Sequence, residues 1–482
     1  MTSYQVSEFD TELTSRLRHI LDVRVAERHC PSVVATVFQG GRVLFEAGVG
    51  ERRLGAERPD AQTAFRIASC SKSFTIVALL ILRDRGLVDL GAPITDHVAE
   101  FTQGSLGRAY EPPTIRMLMS MSAGLPTDDP WADRQESISN ETFGAIVKGG
   151  SLLTTPPGTR YQYSNLGYAL LGQVVERVSG RPFCDFVNEE VLLPLNLHET
   201  GYETNVVAPE QLAYGYRPGL DGWVELPFAT PGAFSSIGGL FSSARDLRTW
   251  ATWLASALGD EPDESGPLSV ASRREMQQIA TAIPNGASVA TLPRTADRIF
   301  GYGFGLFVEH DRRYGQFVSH SGGYPGFSSH MRWHAPTGLG VVALENARYS
   351  GAAQTATELI GEVLSSLAYE LPGVEVWPVT RELALAANSL LTDWDEGVAA
   401  RIFEENVALD VPYAERRVLI ERIVDGIGGL TGASSPRFHE DRSDSPLHLI
   451  WSVPGARGEL TCEVRLSPTT PPLIQTFKVS KG

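Results

Sequence analysis

Ser69 and Lys72 stand three residues apart inside the apolar stretch FRIASCSKSFTIVALL, residues 65 to 80. On a helix, positions i and i+3 share a face, so this spacing puts a hydroxyl beside an amine, which is how an activated serine is built. The chain holds 4 lysines against 37 arginines, and the chemistry explains the exception. Arginine stays protonated under protein conditions, whereas a desolvated ammonium can be driven toward neutrality and exchange a proton. Ser71 is a poorer nucleophile because adjacent helix positions point in different directions. The flanking apolar residues (Phe65, Ile67, Phe74, Ile76, Val77, Leu79, Leu80) predict dry walls, where an unpaired ammonium is costly. Cys70 reads as a small apolar side chain in helix packing.

Two further groups follow in order. In PGTRYQYSNLGYALLG (157 to 172) the triplet Tyr163-Ser164-Asn165 precedes a helical pattern. A phenol beside a cation can pass a proton, and a carboxamide offers donor and acceptor to a substrate amide; Ser and Asn are also common helix caps. His320-Ser321-Gly322-Gly323 is expected at the end of a strand, before a Gly/Pro turn. Its glycines would let a substrate lie along the strand edge and leave a backbone N–H facing a developing oxyanion. His320 would bring a tunable charge close to the hydroxyls.

Taken together, Ser69-x-x-Lys72, Tyr163-Ser164-Asn165 and His320-Ser321-Gly322 resemble the motifs of the penicillin-recognising serine hydrolases, on the side of the class C β-lactamases, D-aminopeptidases and related esterases. The resemblance spans roughly residues 10 to 370 and extends to TIRMLMSMSAGLP (114 to 126), GAFSSIGGLFSSARDLRTW (232 to 250) and YGFGLF (302 to 307). It implies that Ser69 attacks a carbonyl while Lys72 takes or relays its proton. Tyr163 would act as base and then as acid toward the leaving group, and Asn165 would bind the substrate amide and orient Lys72. His320, Ser321 and Gly322 would line the substrate strand. The backbone N–H groups of Ser69 and Gly323 would form the oxyanion hole. His320 stands where true β-lactamases have a lysine, which suits the esterase and peptidase members better than binding of a β-lactam carboxylate.

The implied reaction is cleavage of an amide or ester (a small peptide, a D-amino-acid amide or a carboxylic ester) through a Ser69 acyl-enzyme. Transfer of the acyl group to an amine, as in peptide cyclisation, is the alternative, and a non-catalytic sensor is a third reading that the intact Ser69, Lys72 and Tyr163 argue against. No metal-ligand set and no phosphate-binding loop is present; the glycines of GVGERRLG and SIGGLF read as turns, so no cofactor or metal is expected. Asp128, Asp129 and Asp133, near Trp131, read as a solvated acidic loop, with attraction of a substrate ammonium as the alternative.

The elements that must position these groups follow from length and periodicity. A chain of 482 residues exceeds what one core usually serves. A net charge of -16 and a pI near 5.2 make phosphate backbones and anionic bilayers repelled partners; the small-molecule or short-peptide substrate is what the resemblance implies. The first twenty residues lack the basic and apolar segments of a secretory signal, and no apolar run reaches the roughly 18 residues that cross a bilayer, so a cytoplasmic setting is expected. Cys30, Cys70, Cys184 and Cys462 have no metal or disulfide spacing. The fold class is α+β. A helix over 6 to 28, a hairpin turning at Gly40-Gly41, and β runs between 313 and 347 followed by a helix over 351 to 369 predict an antiparallel sheet flanked by terminal helices. Between them lies an all-helical insertion with helices at 66 to 85, 114 to 121, 166 to 179, 182 to 191 and 244 to 257, the whole a serine β-lactamase/transpeptidase-like domain over 1 to 370. Residues 371 to 379 read as a linker in which Pro372 and Pro378 prevent a continuous helix. A small C-terminal α+β domain over 380 to 482 should hold two helices and three strands.

Overall fold

The computed structural model describes residues 5–104, 106, 108–284, 298–431 and 435–482, in two compact units, Thr2–Leu371 and Pro372–Gly482.

In the larger unit, helix α1 (Thr11–Ala26) begins at Asp10, whose carboxylate accepts the Leu13 N–H, and it buries Leu13, Leu17 and Leu21 along one face. That cap explains why the helix starts later than its apolar pattern: Val6 is buried too, but as extended chain whose N–H bonds Gln39 Oε1 at 2.9 Å. Strands β1 (Ser32–Gln39) and β2 (Arg42–Gly50) form the expected hairpin, with left-handed backbone at Gly40 and Gly41 that only glycine adopts freely. The sheet continues with β3 (Arg298–Tyr302), β4 (Phe307–Asp311), β5 (Gly315–Tyr324), β6 (Phe327–His334) and β7 (Leu339–Glu345). Its order is β2-β1-β7-β6-β5-β4-β3, with the two-residue strand Thr281–Ala282 beyond β3. All neighbours are antiparallel.

Strand alternation divides the interior into two layers. Val33, Ala35 and Val37 of β1, with Leu339, Val341 and Ala343 of β7, pack on α1 and the last helix of this unit. Val34, Phe38, Val342 and Leu344 face the insertion core instead. Each of the Val, Leu and Phe side chains among these, fully withdrawn from water, contributes about 1.5–3 kcal/mol.

The insertion carries α2 (Ser71–Asp84), α3 (Asp129–Ala132), α4 (Asn165–Ser179), α5 (Ser235–Gly238) and α6 (Ala244–Ser256), and α7 (Ala352–Ser366) closes the unit. Shorter helices lie at Ile115–Met119, Asn140–Lys148 and Phe183–Val187. The insertion is helical but not wholly so. Phe65–Arg66 pairs with Phe241–Ser242, and Tyr216–Pro218 with Trp223–Glu225, pairs of two and three residues that are too short to show period-2 alternation. From Ser71 to Leu82 every residue of α2 is buried, and its polar members are paired. Ser73 Oγ donates to Cys70 O and accepts from Trp250 Nε1, and Thr75 Oγ1 donates to Ser236 O.

Among its described residues the smaller unit holds four α-helices where two were expected: α8 (Pro378–Ser389), α9 (Glu396–Ile402), α10 (Glu405–Asp410) and α11 (Tyr413–Gly426). Asp395 caps α9, extended backbone at Phe403 and Glu404 separates α9 from α10, and Pro412 precedes α11. Pro378 does not end a helix but opens one, since the first helical position needs no N–H. Strands β8 (His448–Gly455), β9 (Gly458–Leu466) and β10 (Ile474–Lys481) form a meander, with a two-residue edge strand at Arg437–Phe438. Among the described residues no helix is long and apolar enough to cross a membrane.

Candidate active site

Ser69 lies in a single 3₁₀ turn, Ala68–Cys70, that leads into α2. The residue before it, Ala68, is wholly buried and holds a left-handed φ of 49°, a conformation costing about 1 kcal/mol or more for a residue with a Cβ. The expected helix over 66 to 85 therefore begins five residues later, and the strained turn carries Ser69 as its middle residue. β5 packs on this turn: a Cβ built on Gly322 would fall 2.2 Å from Ser329 Oγ and 2.3 Å from Ile67 O. Gly322 is thus filled by protein rather than left open for substrate. Gly323 has the same constraint, its α-face covered by the ring of Tyr349.

Lys72 Nζ is 2.8 Å from Ser69 Oγ and 2.8 Å from the carbonyl oxygen of Ile237 on α5. That carbonyl takes one N–H, so a neutral amine would turn its lone pair toward the serine. Gly172 makes room for α5, because a Cβ there would meet Ser236 Oγ at 2.5 Å. Burial pushes Lys72 down to about 8, against the opposing charges of Asp129, Asp133 and Asp128. The Tyr163 hydroxyl shares a hydrogen bond with Ser69; burial, reinforced by Asp129, raises this phenol well above its ordinary range. Cys70 is a buried thiol whose pKa burial raises to about 12.

Ser164 is the N-cap of α4, its hydroxyl accepting from Gly167 N at 3.2 Å. Asn165 is wholly buried. Its Nδ2 donates to Asp129 Oδ1 at 2.5 Å, and its Oδ1 has no hydrogen-bond partner among the described residues. The carboxamide is therefore anchored to an aspartate, and the Lys72 hydrogen bonds go to Ser69 and Ile237 instead of to Asn165.

The acidic residues do not form a solvated loop. Asp128 accepts the N–H groups of Asn165 and Leu166 at 2.7 and 2.8 Å, satisfying donors that a helix start leaves free. Asp133 is 6% exposed and accepts from the Tyr349 hydroxyl at 3.1 Å. Burial raises Asp128 to about 6 and Asp133 to about 7. The short helix α3 folds these side chains inward, and nothing in a run of aspartates around Pro130 and Trp131 announced that.

His320 is not at a strand end but inside β5, 1% exposed. Nδ1 lies 2.6 Å from Ser321 O and so carries its proton, leaving Nε2 to accept from the Tyr302 hydroxyl at 3.1 Å. Burial, aided by the Lys72 charge, lowers its pKa to about 3. The tunable charge expected of this residue is absent: at neutral pH His320 is an uncharged part of an aromatic wall with Tyr163, Tyr302 and Phe307. Ser321, on the opposite face of the strand, bonds His330 Nδ1 at 2.9 Å. β4 pairs with β5 only as far as Ser319.

Two residues that sequence reasoning passed over support the site. Arg66 and Glu136, each 1% exposed, pair at 2.5 Å, and Glu136 also accepts from the Tyr324 hydroxyl at the end of β5. Arg66 adjoins the Ala68–Cys70 turn in sequence, but arginine's abundance in this chain hides it.

An antiparallel sheet between terminal helices and a helical insertion, with a Ser-x-x-Lys pair at the base of the insertion's buried helix, defines the β-lactamase/transpeptidase-like class of serine hydrolases. The Beta-lactamase family model matches residues 17–365, and the chain belongs to that family. It is 27% identical over 240 residues to Protein flp of Staphylococcus aureus (strain MRSA252), covering 48% of this chain and 46% of that protein; the chain spans about half the length of the curated relatives it matches. Among solved structures, the octameric penicillin-binding protein homologue from Pyrococcus abyssi superposes with a TM-score of 0.62 at 19% identity, over 96% of this chain and 99% of that one. EstCE1, described as a hydrolase with promiscuous acyltransferase activity, superposes with a TM-score of 0.59 at 21% identity, over 73% of this chain and 98% of that one. At these identities the likeness is one of fold.

Proposed function

We propose that the protein is a serine hydrolase that cleaves a small amide or carboxylic ester through an acyl-enzyme on Ser69. The observation that carries this reading is the 2.8 Å contact between Ser69 Oγ and a wholly buried Lys72 whose pKa is lowered to about 8. A neutral Lys72 takes the Ser69 proton as Oγ attacks the carbonyl carbon, and the carbonyl oxygen becomes an oxyanion held by the N–H groups of Ser69 and Gly323. Tyr163, raised by burial and Asp129, starts as a neutral phenol. It passes its proton to the leaving oxygen or nitrogen and regains one from the Lys72 ammonium as the carbon–heteroatom bond breaks. Water then enters by the reverse of these steps and releases the acid. Asn165 and the free edge of β5 beyond Ser319 hold the acyl group.

Neutral His320 offers no cation to a substrate carboxylate, so uncharged or amine-bearing esters and amides, including D-amino-acid amides and small peptides, are the favoured class over penicillins. The same acyl-enzyme could pass its acyl group to an amine, and the acyltransferase activity described for EstCE1 makes added amine a worthwhile arm of the test. The test is kcat/KM for p-nitrophenyl esters, D- and L-aminoacyl amides and penicillin, in the wild type and Ser69→Ala. Turnover of esters or amides that vanishes with Ser69 supports the reading; the absence of turnover, or its survival in Ser69→Ala, overturns it.

A further inference from the structure

Tyr349 follows β7, and its ring lies directly against Gly323. A Cβ built on Gly323 would fall 2.1 Å from Tyr349 Cε1 and 2.4 Å from Cδ1, while Gly323 itself has no left-handed backbone. The ring, not the chain conformation, is what requires glycine there. The ring also meets the Arg348 guanidinium, 4.8 Å from its centroid, and the hydroxyl donates to Asp133 at the end of α3. Tyr349 thereby joins the sheet, at Gly323, to the insertion, at Asp133.

The backbone pays for this placement. Tyr349 holds a φ of 49°, uncommon for a bulky residue and sustained only where the surroundings over-determine it. They do so here. Asn346 N bonds Ser32 O and its Nδ2 reaches Glu51 O, Arg348 N bonds Tyr216 O, and Arg24 holds the Ser350 carbonyl. Despite these ties Tyr349 remains 51% exposed, so its ring is available to whatever enters beside Gly323.

We propose that Tyr349 is a specificity-determining residue whose ring walls the cleft beside Gly323 and limits the size of the acyl group delivered to Ser69. The inference rests on the hydrolase reading above. The Asp133 bond fixes the ring's position; the ring itself sets the limit.

The test is kcat/KM for p-nitrophenyl acetate, butyrate and octanoate in the wild type, Tyr349→Gly and Tyr349→Phe. Glycine removes the ring and relieves the left-handed backbone, so loss of fold does not confound it. The octanoate-to-acetate ratio should rise roughly tenfold or more in Tyr349→Gly, the scale on which hydrophobic pockets discriminate chain length. Tyr349→Phe, which keeps the ring, should stay near the wild-type ratio. A wild type that turns over the esters with an unchanged ratio in Tyr349→Gly overturns this inference alone. A wild type that turns over none of these esters overturns this inference, and the hydrolase reading falls with it only if the aminoacyl amides and penicillin are left intact as well.

Discussion

Lys72 Nζ lies 5.1 Å from the centroid of the Tyr163 ring, and the same burial moves the two groups in opposite directions, the amine down and the phenol up. Desolvation disfavours whichever form is charged. Near neutral pH in the free protein the lysine is therefore the group closer to being free to accept a proton, and the tyrosine stays a neutral phenol. This separates two proton carriers that the sequence motifs alone leave interchangeable.

The rate of acylation should accordingly rise with pH through about 8 as Lys72 loses its proton. Lys72→Arg keeps a cation that cannot act as base, so it should lose on the order of 10² to 10⁴ in acylation rate. Pre-steady-state release of p-nitrophenol across pH 6 to 10 measures both. A flat profile, or an arginine variant close to wild type, would show that Lys72 is only a charge.

Asp133→Asn removes one of the anions that hold Lys72 protonated, so the rising limb of that profile should move to lower pH. The stability effect has a definite sign as well. Asp133 is raised to about 7 from an ordinary 3.8, so the folded state binds its proton more tightly. Its contribution is full below about pH 4 and is lost as pH rises toward 7. Across that window the urea unfolding midpoint of the asparagine variant should rise relative to that of the wild type, with which it shares every other titrating group; a difference that does not change with pH would refute the account of Asp133.

His320 should remain uncharged throughout pH 5 to 8, since burial and the Lys72 charge lower its pKa to about 3. Its ring proton resonances, followed by NMR with His320→Gln as the assignment control, should not titrate in that range. A midpoint between 6 and 7 would restore the charge-tuning role expected from sequence.

Much of the site was legible because its chemistry is local in sequence. Ser69 and Lys72 are one helical turn apart, and the strand alternation of β1 and β7 sorts the two layers of core. What was hidden depends on pairing across long separations. Arg66 meets Glu136 70 residues away, and Tyr349 meets Asp133 across 216. His320 misled for a related reason: a residue type announces a pKa range, but the burial that overrides it comes from Tyr302 and Phe307, which belong to other strands. The extra helices of the smaller unit were masked because their breaks sit at caps and a proline rather than at long polar loops.

The Arg66–Glu136 pair gives a stability prediction. With both side chains withdrawn from water, Glu136→Ala leaves a buried arginine unpaired and should cost about 3–5 kcal/mol, whereas replacing both residues with apolar ones should cost much less. Chemical unfolding of the single and double variants decides this. Equal losses in both would mean the pair is not the unit of stability.

Formation of the acyl-enzyme is the central claim, and intact-mass spectrometry with peptide mapping tests it most directly. After brief mixing with a p-nitrophenyl ester, the wild type should gain the mass of one acyl group, located on the peptide containing Ser69, and Ser69→Ala should gain none. An adduct located elsewhere, or one that forms equally in Ser69→Ala, would contradict the account.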